Sequence, residues 1–194
     1  MNQSLKILII AGEKSGDNHG ASLMQAIKAQ STNTKFIGIG GEKMRQLGLH
    51  SIVDLDQMAV MGFWEVLKKI LFFLNLKKKI INLIKTEKPE KIILIDYPGF
   101  NLNIAKKIKK NFSTSIYYYI SPQIWAWKEK RINIIKKYID KMIVIFPFEL
   151  DWYKKRGVDV DFVGHPILDQ IKNTNKDELI KKLNLDPNKL ILGI

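Results

Sequence analysis

The chain has 194 residues, 46% of them hydrophobic, with a formal net charge of +13 and no cysteine. That length and apolar content suit a folded domain with a sizeable core and exclude intrinsic disorder, and the lack of cysteine excludes disulfides and thiolate metal sites and fits a reducing compartment. The basic excess does not read as a nucleic-acid surface: only Arg45, Arg131 and Arg156 among 32 basic residues are arginine, the residue suited to phosphate forks, and no nucleic-acid motif is present.

Met1 to Ile10 runs straight into a strand-like segment without the small-residue cleavage site of a signal peptide, and no uncharged run reaches transmembrane length. Apolar, β-rich runs predict strands at Leu5 to Ile10, Lys35 to Gly40, Lys91 to Ile95, Ser115 to Ile120 and Met142 to Phe146. Helices are expected at Asp17 to Ala29, Gly62 to Lys85, Leu102 to Lys110, Lys128 to Tyr138 and Glu149 to Arg156. Strands without polar alternation are buried on both faces, and the repeated β–α order predicts an α/β fold with a Rossmann-like, doubly wound parallel sheet. Asn173 to Asp177 reads as a linker, Lys176 to Leu183 as a short helix, and Leu190 to Ile194 as an opening strand. Residues 1–172 are therefore expected to form one domain, and 173–194 to begin a second that is cut short.

Candidate chemistry gathers at the strand ends, where open α/β sheets bind ligands. After the first strand, Gly12-Glu13-Lys14-Ser15-Gly16-Asp17 opens a helix, so its backbone N–H groups can hold an anion or a sugar hydroxyl. It lacks the spacing of a Walker A loop or a dinucleotide fingerprint. Gly12 and Gly16 also read as turn glycines and Asp17 as a helix cap, whereas Glu13 has no evident packing role. Asp96 follows four apolar residues, so it reads either as a desolvated general base or as a turn-forming Asp. Tyr97-Pro98-Gly99 is expected to turn, and Asn101 to cap the next helix. Ser121-Pro122-Gln123-Ile124-Trp125-Ala126-Trp127 ends a strand at Pro122; its tryptophans suit a sugar ring or an acyl chain, or else pin the next helix as core aromatics. Lys128 and Arg131 follow them, in reach of a phosphate. His165, before Pro166, reads as a ligand contact or a loop anchor. No His or Cys pairing has the spacing of a zinc site.

Within Met58 to Leu76, the residues Phe63, Trp64, Val66, Leu67, Ile70, Leu71, Phe72, Phe73, Leu74 and Leu76 are too many for one buried helical stripe, and lysines 68, 69 and 77–79 fringe them; Phe63, Trp64, Leu67, Ile70, Leu71, Phe72, Phe73 and Leu76 are expected at a membrane face. This pattern predicts a helix lying on an anionic membrane surface, the other reading being an unusually well-buried core helix.

Gly12 to Asp17, Gly38-Ile39-Gly40-Gly41, Met58-Ala59-Val60-Met61-Gly62, Ile95 to Asn101, Ser121 to Trp127, Phe146-Pro147-Phe148-Glu149 and Gly164-His165-Pro166 occur together and in order. The combination resembles the N-terminal half of the lipid-A-disaccharide synthase family of bacterial glycosyltransferases. The resemblance implies a two-domain GT-B fold, with the UDP-binding motifs in a C-terminal domain. It implies transfer from a UDP-diacylglucosamine donor to a diacylglucosamine 1-phosphate acceptor at the cytoplasmic face of the inner membrane, with no metal or other cofactor. It places the essential acid, the candidate base, at Asp96, and matches Glu13, Ser15, Gly16 and Asp17 to the family's first loop. Two positions depart from the family pattern: Gly99 stands where many members have a second Asp, and Lys128 where Arg is common. A non-catalytic fragment that binds lipid or membrane, and a nucleotide-binding Rossmann module, are the competing readings.

Overall fold

The computed structural model describes residues 5–58, 63–170, 175–184 and 186. The chain divides into two compact units, Met1–Gly164 and His165–Ile194. The first holds a seven-stranded sheet: β1 (Leu5–Ala11), β2 (Thr34–Ile39), β3 (Leu49–Ser51), β4 (Lys91–Ile95), β5 (Ser115–Tyr119), β6 (Lys141–Val144) and β7 (Val160–Phe162). The strand order is β3-β2-β1-β4-β5-β6-β7, and every pairing is parallel. Joining them are α1 (Lys14–Gln30), α2 (Glu42–Gln46), α3 (Phe63–Glu87), α4 (Pro98–Lys109), α5 (Ile132–Tyr138) and α6 (Pro147–Lys154). In the second unit, a 3-10 turn at Leu168–Gln170 and α7 (Lys176–Lys182) are described. The strand expected at Leu190 to Ile194 lies outside the described residues.

The expected parallel sheet is present, and side-chain alternation explains its burial. Along β1, Leu8 and Ile10 enter the larger core, with Ile80 and Ile84 of α3 and Ile104 and Ile108 of α4. Ile7, Ile9 and Ala11 point the other way, into a smaller core with Ala21 and Met24 of α1 and Met44 of α2. Gly38 in β2 has φ +136°, and a Cβ there would meet the Ile9 carbonyl oxygen at 2.1 Å, so the β1–β2 contact requires glycine.

The structure corrects several local expectations. β3, β7 and α2 were not predicted as elements; strands of three residues carry too little periodicity to be recognised. α4 begins at Pro98, not Leu102, because proline's preset φ and missing N–H suit a first helical turn. Asn101 therefore lies inside α4, and Tyr97 occupies the cap position. α5 starts at Ile132; Lys128 has a left-handed backbone, φ +60°, ahead of a 3-10 turn at Glu129–Arg131.

The apolar helix α3 is also corrected. The Leu76 side chain, expected at the membrane face, is 2% exposed in the larger core, and Phe72 and Phe73 pack partly buried against that core. Ile70 and Leu71, both expected at that face, are 52% and 65% exposed, and Leu74, not among the residues expected there, is 48% exposed. The side chains of Phe63, Trp64 and Leu67 lie outside the described residues. Among the described residues, no helix is long and apolar enough to cross a membrane.

Candidate active site

The strand order reverses between β1 and β4, so their carboxyl ends flank a crevice at the switch point of the sheet. Glu13 leaves β1 there, and Asp96 leaves β4. Asp96 and Tyr97 both have left-handed backbones, φ +41° and +48°. Such residues persist only where the surroundings over-determine them. Here the Asp96 carbonyl accepts hydrogen bonds from Asn101 Nδ2 at 2.7 Å and from the Tyr118 hydroxyl at 2.6 Å, and Asn101 Nδ2 also reaches the Ile95 carbonyl at 3.0 Å. The Asp96 N–H continues the ladder to the Tyr119 carbonyl at 3.0 Å. The backbone of Asp96 is therefore gripped from α4 and β5, and its carboxyl meets that of Glu13.

The Asp96 carboxyl is pushed up from its ordinary 3.8 to about 6, chiefly by burial. The negative charge of Glu13 and a hydrogen bond with the Glu13 carboxyl act in the same direction, against the N–H of Tyr97. Glu13 is exposed and takes a 2.8 Å hydrogen bond from the Ser15 hydroxyl. Burial, followed by the charges of Asp96 and Tyr153, raises Tyr118 well above the ordinary phenol range; the Arg131 guanidinium works in the opposite sense on the same hydroxyl. Tyr118 thus stays a neutral donor behind Asp96, and Arg131 lies within electrostatic reach of it.

Tyr97 walls the crevice. Its ring lies where a Gly12 side chain would be, 2.3 Å from the position of a Gly12 Cβ, which explains the glycine at the first loop position. Its hydroxyl donates to the Met58 carbonyl at 3.4 Å. On one side of Tyr97 is a cleft of about 370 Å³, lined by Gly12, Glu13, Leu55, Asp56 and Met58. A second cavity, of about 430 Å³, runs between α3 and the start of α4.

The remaining loop residues have packing partners. Gly16 lies against Ala11, and its own Cβ would stand 3.2 Å from the Ala11 Cβ. Asp17 does not cap its own helix. Its carboxylate accepts the N–H groups of Gly41 at 2.8 Å and of Lys43 and Met44 at 3.1 Å each, and so caps α2 across the sheet edge. A Cβ on Gly41 would come within 2.6 Å of that carboxylate, which accounts for the second of the paired glycines after β2.

The two tryptophans have different environments. Glu149, in the first turn of α6 and 1% exposed, accepts from the Ser121 hydroxyl, from Trp125 Nε1 at 3.2 Å and from the Phe146 N–H at 3.2 Å. The Trp125 ring meets Phe148 edge to face at 4.9 Å. Ser121 and Trp125 are therefore clamped to α6, with their polar atoms committed to Glu149. Trp127 is 58% exposed, with Lys128 Nζ stacked 4.3 Å from its ring centre. His165 belongs to the second unit, where its Nδ1 accepts the Ile167 N–H at 3.2 Å. Among the described residues, no three His, Asp or Glu side chains group closely enough to hold a metal ion.

Sequence reasoning overlooked Glu149 and Tyr118. An acid at the third position of a proline-initiated helix was the available signal for Glu149. Tyr118 sits in a run of three tyrosines that gives no sign which hydroxyl turns toward Asp96.

Comparison with known proteins decides the family. The sequence model of the lipid-A-disaccharide synthetase family matches residues 7–194. The chain belongs to the lipid-A-disaccharide synthase family. It is 48% identical over 171 residues to lipid-A-disaccharide synthase 1 of Legionella pneumophila strain Paris, covering 88% of this chain and 44% of that protein. It is 40% identical over 194 residues to the lipid-A-disaccharide synthase of Geobacter sulfurreducens, covering 100% of this chain and 50% of the relative. The relative from Coxiella burnetii strain Dugway 5J108-111 is 42% identical over 189 residues, again covering 50% of its length. The chain thus spans about half the length of these curated relatives. Among solved structures, UDP-N-acetylglucosamine 2-epimerase from Rickettsia bellii superposes with a TM-score of 0.56 over 95% of this chain and 52% of its own, at 15% identity, a likeness of fold alone.

Proposed function

We propose that this lipid-A-disaccharide synthase family chain forms the acceptor-side half of a glycosyltransferase that joins UDP-2,3-diacylglucosamine to 2,3-diacylglucosamine 1-phosphate and releases UDP. The observation that carries this reading is the Asp96 carboxyl, raised to about 6 beside Glu13 at the switch point of the sheet. Near neutral pH it is ionised yet more basic than an ordinary aspartate, as a general base requires. In the reaction, the acceptor C6 hydroxyl attacks the anomeric carbon of the donor, its proton passes to the Asp96 carboxylate, and the bond to UDP breaks with the electron pair leaving on UDP. Asn101 and Tyr118 hold Asp96 by its backbone carbonyl, and Glu13, held by Ser15, tunes its proton affinity. Arg131, Lys128 and Trp127 supply positive charge and an apolar face for the phosphorylated acceptor.

The donor site belongs mainly to the half of the relatives that this chain does not match. The enzyme works peripherally on the cytoplasmic face of the inner membrane of a Gram-negative cell. Ile70, Leu71 and Leu74 supply the apolar contact there, and the exposed lysines 78 and 79 supply the attraction to anionic lipid. Fusing this chain to the unmatched half of the Geobacter sulfurreducens relative tests the reading. The fusion should release UDP from the donor only when the acceptor is present, and Asp96→Asn should cut that release about 10²–10⁴-fold. Near-wild-type turnover in Asp96→Asn, with a native circular dichroism spectrum, refutes the assignment of the base. UDP binding by the 194-residue chain with the affinity of the fusion refutes the division between acceptor and donor halves.

A further inference from the structure

The second cavity beside Tyr97 has no part in the chemistry above. Its lining is Phe73 and Lys77 from α3, and Tyr97, Pro98, Gly99 and Phe100 from the start of α4. Three of these are aromatic, and Phe73 packs against Phe100 with ring centres 5.5 Å apart. Among the described lining residues Lys77 is the charged one, one helical turn beyond Phe73. A volume of about 430 Å³ lies in the ~300–1,000 Å³ range of small-molecule sites.

Two further observations bear on what fills the cavity. First, Tyr97 lines both this cavity and the cleft that holds Glu13, so an occupant of one reaches the other past a single ring. Second, Gly99 lines the cavity with no side chain of its own: a Cβ there meets nothing within 4 Å, and the backbone is ordinary helix that accepts any residue. An apolar, aromatic-walled slot with the Lys77 ammonium in its lining, one ring away from the cleft of Glu13, is complementary to an alkyl chain whose head group is anionic.

We propose that the cavity between α3 and α4 holds one acyl chain of the acylated sugar phosphate that reacts at Asp96, with Lys77 adding to the positive charge that Lys128 and Arg131 offer its anionic group and Gly99 admitting the chain. This deepens the glycosyltransferase reading and rests on it. The outward stripe Ile70, Leu71 and Leu74 lies on the same helix, so a chain drawn from a membrane enters the cavity with little exposure to water.

The test uses the 194-residue chain with dodecyl phosphate below its micelle concentration, dodecanol, inorganic phosphate and phosphatidylglycerol vesicles. Wild type should bind one dodecyl phosphate. Gly99→Leu, which fills the cavity at a helical position without backbone strain, should weaken binding at least tenfold with an unchanged Tm. Lys77→Gln should weaken dodecyl phosphate several-fold and leave dodecanol unchanged. Equal binding by Gly99→Leu, or inorganic phosphate binding as tightly as dodecyl phosphate, overturns the proposal. A loss of vesicle binding in Gly99→Leu as large as its loss of dodecyl phosphate overturns it too, by assigning the cavity to bulk membrane lipid. The outcome separates from that for the base: if Asp96→Asn retains turnover in the fusion while Gly99→Leu still loses dodecyl phosphate, the base falls and the cavity stands.

Discussion

Replacing Asp96 with Asn should stabilise the protein, and the gain should depend on pH. The folded-state carboxyl titrates near 6 against an ordinary 3.8, so folding favours the protonated form. The stability this contributes is fully present below the unfolded value of 3.8 and is lost as pH rises through about 6. At about 1.4 kcal/mol per pH unit the gap corresponds to about 3 kcal/mol, and partial solvent access to the carboxyl reduces the expectation to about 2 kcal/mol. Asn carries no titrating charge and tolerates the φ of +41° at this position, whereas Ala there adds strain of about 1 kcal/mol that would confuse the comparison. Urea unfolding of wild type and Asp96→Asn should give nearly equal stabilities at pH 4 and a variant more stable by about 2 kcal/mol at pH 8. Glu13→Gln should recover a smaller part of the same gain, since burial outweighs the Glu13 charge. A difference between wild type and Asp96→Asn that is the same at both pH values would refute the claim that this site holds its acid at a cost to the fold.

Other expectations follow from the packing. Glu149→Leu leaves the Ser121 hydroxyl, Trp125 Nε1 and Phe146 N–H without their acceptor and should cost about 3 kcal/mol or more, with a shift in tryptophan fluorescence, while Glu149→Gln costs less. Asp17→Ala removes the acceptor for three N–H groups at the start of α2 and should cost about 2 kcal/mol by urea titration; a neutral result would refute its role as a cap. Ser at Ile70, Leu71 and Leu74 together should reduce binding to phosphatidylglycerol vesicles at least tenfold with Tm unchanged, whereas Leu76→Ser should cost about 3 kcal/mol because that side chain is in the core; vesicle binding lost only with Leu76 would reverse the assignment. In the fused enzyme, turnover should fall as pH drops below about 6, as the Asp96 carboxyl takes up its proton; a flat profile from pH 5 to 8 would exclude it as the base.

The alternation of apolar runs and helical segments was enough to predict a parallel, doubly wound sheet, because strands buried on both faces leave a continuous apolar signature that no loop packing alters. The motif order was enough to indicate the family, and an acid directly after four apolar residues marked Asp96. The sequence could not indicate which polar groups turn inward. Asp17 read as a cap of its own helix, but in the folded chain it caps α2, since the parallel β1–β2 pairing brings Gly41 next to it. Asn101 read as a cap and proved to be a clamp on the Asp96 carbonyl, because α4 starts at Pro98. Along α3 the composition held both a core stripe and an outward apolar stripe, and only packing into the larger core assigned Leu76 to the first and Ile70, Leu71 and Leu74 to the second. A sequence records which side chains are apolar or charged, a local property; which of them meet is set by crossovers that bring residues tens of positions apart to one sheet edge, and the crevice between Glu13 and Asp96 arises there.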